Sequence, residues 1–285
     1  QLLPADQAVW GRFNKGMAMG SLLRFYMNTK QYSKALTLSK QIMDLGKYSL
    51  DPSYSAVFAA NNQGNNEIIY PVVKAGTSQG SWLICVSLPR DYPRPSNQGT
   101  CAAVVYGNDS FMDLFEPGDI RGSAHMIRSY TSNTNVEVVG YGKNESVMLK
   151  YPLDPNAAGA FANNNDYAHI RYADVLMYRA EAINESSGPN QEAIDLLNQI
   201  RTRAGASVIN LATYPSKASL KTFIMEERRR EIFWEGKLRE DAIRNEVWIS
   251  TAQAKGRSAQ DKHKLFPIPL AEMDANKEMV QNPGY

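Results

Sequence analysis

From Tyr167 to Arg244 apolar residues return every three or four positions, which is the period of an α-helix with one buried face. In a first helix, with His169 at its start, Ala173, Leu176, Met177, Ala180 and Ile183 share that face, and Ser186-Ser187-Gly188-Pro189 breaks it. Asn190 is placed to cap a second helix, with Glu192 in the first turn where the helix dipole favours an acid. Its apolar side is Ala193, Leu196 or Leu197, Ile200 and Ala204, and Gly205 can take the left-handed conformation that ends it. So short a link makes the two helices antiparallel, a helical hairpin. A third helix sets Leu220, Ile224, Glu227, Glu231 and Trp234 on one face. Two carboxylates in line with apolar anchors need cations, since burying an ionised acid alone costs several kcal/mol. The local candidates are Arg228, Arg229, Arg230, Lys237, Arg239 and Arg244. Such pairing favours a structural ion-pair network over a catalytic acid pair, because arginines hold carboxylates ionised and a general acid must be protonated.

The N-terminal part has the same rhythm. Trp10 to Lys30 carries Phe13, Met17, Gly20, Ser21 and Phe25 at helical spacings, and Tyr32-Ser33-Lys34-Ala35-Leu36 opens a second helix that runs through Leu38 and Ile42 to Leu45, with Gly46 as its stop. A helix, a turn and Tyr-x-x-Ala followed by bulky residues is similar to a tetratricopeptide repeat, and 167–205 reads as a second copy. The fold class expected is therefore mainly α, a TPR-like helical-repeat scaffold interrupted by a long excursion of irregular loops and short strands. One unit of 285 residues is divided into a helix pair over 1–47, a loop-rich region over 48–166, and a helical part with an extended tail over 167–285.

The excursion is rich in turn residues at Asp51-Pro52 and 61–66. Within it Glu67 to Val73, Val136 to Val139 and Val147 to Lys150 read as short strands, and Asn108 to Asp119 as a short helix stopped by Pro117-Gly118. Past Arg244 comes a short helical segment with Val247, Trp248 and Ile249, then a polar surface loop over 254–264. Leu265-Phe266-Pro267-Ile268-Pro269 is expected to return extended across the core, since both prolines forbid helix. A last helical turn spans Leu270 to Met273.

The charge balance, +2 from 31 basic and 29 acidic residues, gives no reason to expect nucleic acid or an anionic membrane surface as partner. No window reaches eighteen uninterrupted apolar residues. There is no leader pattern and the first residue is Gln1, so the sequence reads as a mature piece or a fragment. Cys85 and Cys101 have no zinc-site spacing; they either close one loop, worth about 3 kcal/mol in the chain-entropy model, or stay free thiols. His125, His169 and His263 have no helical ligand partner, and His169 reads as a packed or capping residue. Nucleophile-elbow, phosphate-loop and dinucleotide signatures are missing. The asparagine clusters at 61–66 and 163–165 have too few acids for an EF-hand and read as solvated turns. No metal, cofactor or catalytic set is expected. Glu227 and Glu231, one turn apart on one helix, cannot flank a glycosidic bond from opposite sides.

What remains is aromatic. Trp82, Tyr92, Tyr106, Tyr130, Tyr141 and Tyr151 are scattered through the excursion. Aromatic rings accept the C–H faces of sugars or the side chains of peptides, and loops on a rigid scaffold are where such sites sit. Trp82, in Gly80-Ser81-Trp82, is the first candidate; Tyr92 and Arg94 in the 91–95 turn follow, then Asn97 as a hydroxyl partner and Tyr106.

Arg171-Tyr172-Ala173-Asp174-Val175-Leu176, Ala180-Glu181-Ala182 and Asn198 to Gly205, followed by Glu227-Arg228, Glu231, Glu235-Gly236, Arg239-Glu240-Asp241 and Arg244, resemble the SusD/RagB family in type and order. The endings Phe266-Pro267-Ile268-Pro269 and Gln281-Asn282-Pro283-Gly284-Tyr285 are similar to that family's close. The resemblance implies a non-enzymatic, surface-exposed outer-membrane lipoprotein that binds glycans, or in some members peptides. It would hand its ligand to a SusC-like TonB-dependent transporter. A pure protein–protein scaffold is the other reading. Members generally carry a long N-terminal helical region with the lipidated cysteine, which is not seen here, so membrane association would run through a lipid outside this chain.

Overall fold

The first helix is fixed by its cap. Asn14 has extended backbone angles and its side chain accepts the Met17 amide at 2.8 Å, so the helix begins at Lys15 rather than at Trp10. In this computed structural model, which describes residues 3–6, 9–76, 79–99, 105–139, 145–159 and 161–285, the chain is mainly helical. Helix α1 (Lys15–Asn28) and α2 (Tyr32–Asp44) form one antiparallel hairpin, and α7 (Tyr172–Ser187) and α8 (Gln191–Arg203) form another. Each of these four packs on the next, with α2 against α7 joining the hairpins into a helical-repeat scaffold. Leu23, Met27, Ala35, Ile42, Val175 and Tyr178 fill the space between hairpins. A second core, built on Leu176, Ala180, Leu197, Ile200, Leu220 and Ile224, seats α9 (Lys217–Ile232) on α7. The Asn190 cap, accepting from Ala193 at 2.9 Å, and the left-handed Gly205 at φ +73° stand where the sequence places them.

Between the hairpins lie α3 (Tyr54–Val57), β1 (Ile68–Val72), α4 (Leu83–Ser87), β2 (Tyr106–Asn108), α5 (Asp109–Met112), α6 (Ile120–Ser123), β3 (Met126–Ile127), β4 (Tyr130–Thr131), β5 (Glu137–Val138), β6 (Glu145–Met148) and β7 (Tyr167–Arg171). They form small antiparallel sheets in the orders β1-β7, β2-β6-β3 and β4-β5. Their core is aromatic: Tyr54, Phe58, Tyr151 and Phe233 pack with Ile84 and Leu88. The helix expected over 108–119 is only the single turn α5. Cys85 is buried and disulfide-bonded; Cys101 and Tyr141 lie outside the described residues.

Two expectations fail for nonlocal reasons. His169 does not start a helix, because residues 167–171 pair with β1 and Arg171 is the cap, its amide donating to Asp174 Oδ2 at 2.9 Å. The partner strand is about a hundred positions away, beyond any local pattern. Nor does the 265–269 segment cross the core. Phe266 is 70% exposed, and Gln281 and Asn282 side chains bond the Ile268 amide and carbonyl and the Phe266 carbonyl in place of a neighbouring strand. The remaining helices, α10 (Leu238–Arg244), α11 (Trp248–Ala254) and α12 (Leu270–Ala275), follow α9.

The parts are joined by a buried chain of ion pairs. It runs Asp119–Arg121–Glu227/Glu231, then Arg203–Glu67–Arg171–Glu235, then Lys237–Asp174–Arg228–Asp241–Arg244–Glu181. Arg171 occupies the crossing: it bonds Glu67 at 2.5 Å, Glu231 at 2.9 Å and Glu235 at 2.6 Å with no exposed surface. Removing one member of a buried pair strands its partner, at about 3–5 kcal/mol. Arg171→Ala is therefore expected to lower the unfolding free energy by at least about 3 kcal/mol. Urea melts of wild type and variant measure it, and a loss under about 1 kcal/mol would show the site is wet rather than buried.

Candidate functional site

Trp82 stands at the N-cap position of α4 and is 58% exposed. Phe161, itself 45% exposed, lies against it with centroids 4.2 Å apart and planes tilted by 39°. The pair depends on a close approach of two loops. The Ser81 amide donates to the Asn163 carbonyl at 2.8 Å, and Asn163 Nδ2 donates back to the Ser81 carbonyl at 3.2 Å. Gly80 permits it, since a Cβ there would stand 2.0 Å from the Phe161 carbonyl oxygen and 2.5 Å from Ala162 Cα.

The same 152–165 segment walls a cleft of about 460 Å³ with Asn61, Gln63, Lys74, Asn156 and Asn164 at its lining. Asp154 organises it from below, accepting from the Asn156 amide at 2.9 Å and from the Asn164 amide and side chain at 2.8 and 2.7 Å. Asp166 accepts from the Lys74 amide, Gln63 Nε2 and Trp10 Nε1. Burial pushes the Asp166 carboxyl up, against the pull of those donors. The pair and the cleft share the 152–165 segment: the exposed rings offer a sugar an apolar contact, and the Gln63 and Asn164 amides, each held by a carboxylate, offer its hydroxyls donors and acceptors.

Of the five residues singled out in the sequence, the structure puts only Trp82 and Asn97 at this corner. Asn97 Nδ2 donates to the carbonyls of Pro155 and Ala157, so it ties the loop rather than reaching outward. Arg94 is likewise turned inward, donating to the carbonyls of Arg90, Tyr92 and Gln98. Tyr92 is half-buried, its ring 5.0 Å from that of Tyr130. Tyr106 is exposed on β2, in register with Val147. Phe161 and the cleft amides were missed. The signal for Phe161 was a large apolar residue between alanines and an asparagine run, a setting where nothing local would bury it.

The acids and histidines singled out in the sequence are engaged by other side chains or by the backbone. Glu227 meets Arg121, Arg201 and Arg230, and Glu231 meets Arg121, Arg171 and Arg203. Of the cations expected locally, only Arg230 contacts either acid; the others come from the excursion, β7 and α8. Burial alone would push the Glu231 carboxyl up, but Arg203, Arg171, Arg121 and Lys150 outweigh it and hold it at about 2. It cannot supply a proton near neutral pH. His125 Nδ1 donates to the Leu149 carbonyl and its Nε2 meets Ser55 Oγ at 2.7 Å, with burial drawing its pKa down. His169 faces Arg24 at 3.0 Å, and His263 Nδ1 accepts the Gln260 amide at 2.9 Å. Among the described residues no cluster of His, Cys, Asp or Glu is arranged to hold a metal.

The Glu231 shift has a pH consequence. Its stabilisation is fully present above the unfolded carboxyl value of about 4.3 and is lost as the pH falls toward about 2. Glu235, Glu227 and Asp241 are also held low, burial opposing and cations prevailing, so they add in the same direction. Circular dichroism during acid titration is expected to show folded protein at pH 4 and collapse between roughly pH 4 and 2; unfolding already complete at pH 5 would contradict the pairing. Gly80→Ala is expected to part the two loops, read as a shift in Trp82 fluorescence with little change in the far-ultraviolet spectrum. An unchanged emission would mean that the close approach is not needed.

A sequence profile of the SusD family matches residues 122–285. SusD-like protein P25 of Formosa agariphila is 24% identical over 96% of this chain and 60% of its own length. The starch-binding protein SusD of Bacteroides thetaiotaomicron is 23% identical over 98% of this chain and 62% of its own. The chain thus spans about three fifths of each. Surface glycan-binding protein A from Bacteroides uniformis superposes with a TM-score of 0.76 at 25% identity, over 98% of this chain and 64% of that one. The counterpart from Bacteroides thetaiotaomicron in complex with laminarihexaose has the same fold, with a TM-score of 0.81 at 23% identity over 98% and 66%.

Proposed function

The chain belongs to the SusD family, and from that premise we propose that it is a glycan-binding protein without catalytic activity, with the Trp82–Phe161 pair and the adjoining amide cleft as its sugar contact. The observation that carries the reading is the pair itself: two large rings in tilted contact and open to solvent, held by a loop contact that only glycine allows. Burying an apolar ring against solvent would be the default use of such residues, and here the scaffold holds them out. That relatives are named for binding starch and surface glycans, and that one was solved with laminarihexaose, supports an oligosaccharide over a peptide. The engaged state of the buried acids and of the histidines supports capture rather than turnover. Delivery to a SusC-like TonB-dependent transporter, and a place at the outer face of the outer membrane through a lipid, belong to the same proposal and rest on the family alone.

Tryptophan at the centre of a sugar contact typically accounts for more than about 1.4 kcal/mol, a factor of ten in Kd. Calorimetric titration with laminarin, starch and xylan oligosaccharides is expected to give binding to at least one. Trp82→Ala and Phe161→Ala should each weaken it about tenfold or more, and Gln191→Ala on the far helix should leave it unchanged. Binding indifferent to both ring deletions would move the site elsewhere, and release of reducing ends on incubation would make the protein an enzyme.

A further inference from the structure

A second concave surface shares no lining residue with the cleft beside Trp82. It is a groove of about 730 Å³ between the 48–52 segment, Tyr172 at the first position of α7, and α8. The segment is pinned in place. The Ser49 amide donates to the Asn66 carbonyl at 3.2 Å and the Asp51 amide to Glu67 Oε2 at 2.8 Å. The Asp51 carboxylate accepts from the Ser53 amide and Asn62 Nδ2, and Leu50 packs against the core that seats α9 on α7. Arg203 lines the groove with a side chain only 4% exposed. Its two terminal nitrogens donate to Glu67 at 2.8 Å and Glu231 at 2.5 Å, and the guanidinium lies over the Tyr54 ring. Its Nε, however, has no acceptor among the described residues. Buried donors are nearly always paired, so an orphan on the wall of a groove marks where a ligand oxygen fits.

The charges of the groove decide what that oxygen belongs to. Arg203 is already answered by two carboxylates, and the other charged lining residues are Asp51 and Asp195, so an anionic ligand meets repulsion. A cation would leave the Nε–H without an acceptor. A neutral hydroxyl suits both, accepting from Nε and donating to a carboxylate. Asn198 is tied at both ends of its amide to Ile209, which leaves Gln199 and Thr202, exposed on α8, as further hydroxyl partners. Tyr48 and Tyr172, both half-buried, add apolar surface. We propose that this groove is a second saccharide site, which takes a neutral sugar unit with one hydroxyl oxygen on Arg203 Nε. The sugar class rests on the glycan-binding reading above; the place of the site rests on the orphan donor and the groove alone.

Nuclear magnetic resonance of the nitrogen-15-labelled protein, titrated with neutral laminarin, starch and xylan oligosaccharides, tests this. Amide shifts are expected in two groups, 80–83 with 161–164 and 49–52 with 198–203, and the Arg203 Nε–H signal should move with the second. Thr202→Trp, at an exposed position of α8, should weaken the second-group response about tenfold or more and leave the first unchanged, and Trp82→Ala should do the reverse. Gln199→Ala, a smaller change at another exposed position, should weaken the second group without threat to the fold. First-group shifts alone overturn the second site and leave the Trp82 site standing; second-group shifts alone uphold the second site and remove the first. An Arg203 Nε–H signal that never moves, or a second-group response indifferent to both α8 variants, overturns the proposal. A second group that answers neutral tetrapeptides but none of the sugars overturns it in favour of a peptide site.

Discussion

The Arg171 guanidinium is the point through which the parts of this molecule communicate. It sits at the last residue of β7, just before α7, and bonds a carboxylate from the residue before β1, one from the last turn of α9 and one from the turn beyond it. Each carboxylate also meets a further cation: Arg203 bridges Glu67 and Glu231, and Lys150 and Lys237 both meet Glu235. A buried charge is tolerated only when its partners are in place, so every segment that supplies one is fixed relative to the others. Hydrophobic packing would allow small slips between the excursion and the hairpins; a bidentate guanidinium does not.

The end of α9 shows what this geometry costs locally. Trp234 has φ +63°, a left-handed conformation that a bulky residue adopts only at an energetic cost of about 1–3 kcal/mol. The reversal it makes, with Gly236 at φ +69°, brings Glu235 back to Arg171, Lys150 and Lys237. The helix's last carbonyls are satisfied from outside. Lys150 Nζ donates to the carbonyls of Glu231 and Phe233 at 2.7 and 2.9 Å, and Tyr54 and Arg171 also reach Glu231. The ammonium stands over the rings of Phe233, Phe58 and Tyr54, so the aromatic core of the excursion closes around it. One lysine thus ends a helix, neutralises an acid and centres a core.

A scaffold locked in this way leaves its rim loops, where the proposed sugar contact lies, outside the ionic chain. The Trp82–Phe161 loops are joined to the rest by backbone hydrogen bonds and by the Asp154 and Asp166 carboxylates, not by the ionic chain. Their composition can therefore change without disturbing the buried charges, which suits a family whose members are named for different glycans.

Much of the helical layout was legible from residue order, because caps, breakers and a 3.6-residue period act within one or two turns. Asn190, Gly205 and the paired faces of the 172–203 hairpin are of this kind, and so is the demand of Glu227 and Glu231 for cations. Which cations answer was not. Arg121, Arg171 and Arg203 lie 110, 60 and 28 residues from Glu231, whereas the basic residues beside it on α9 mostly point elsewhere. Residues 167–171 became a strand because β1 arrived beside them, and the Arg94 and Asn97 side chains bond carbonyls of neighbouring loops. Trp82 could be picked out from its Gly80-Ser81-Trp82 setting; its pairing with Phe161 could not, because a ring–ring contact across 79 positions is made by the folded loops alone. Local energetics chose the helices; the pairing of charges and rings over long separations, which exists only once the chain has closed, chose how the loops and the scaffold are fixed to one another.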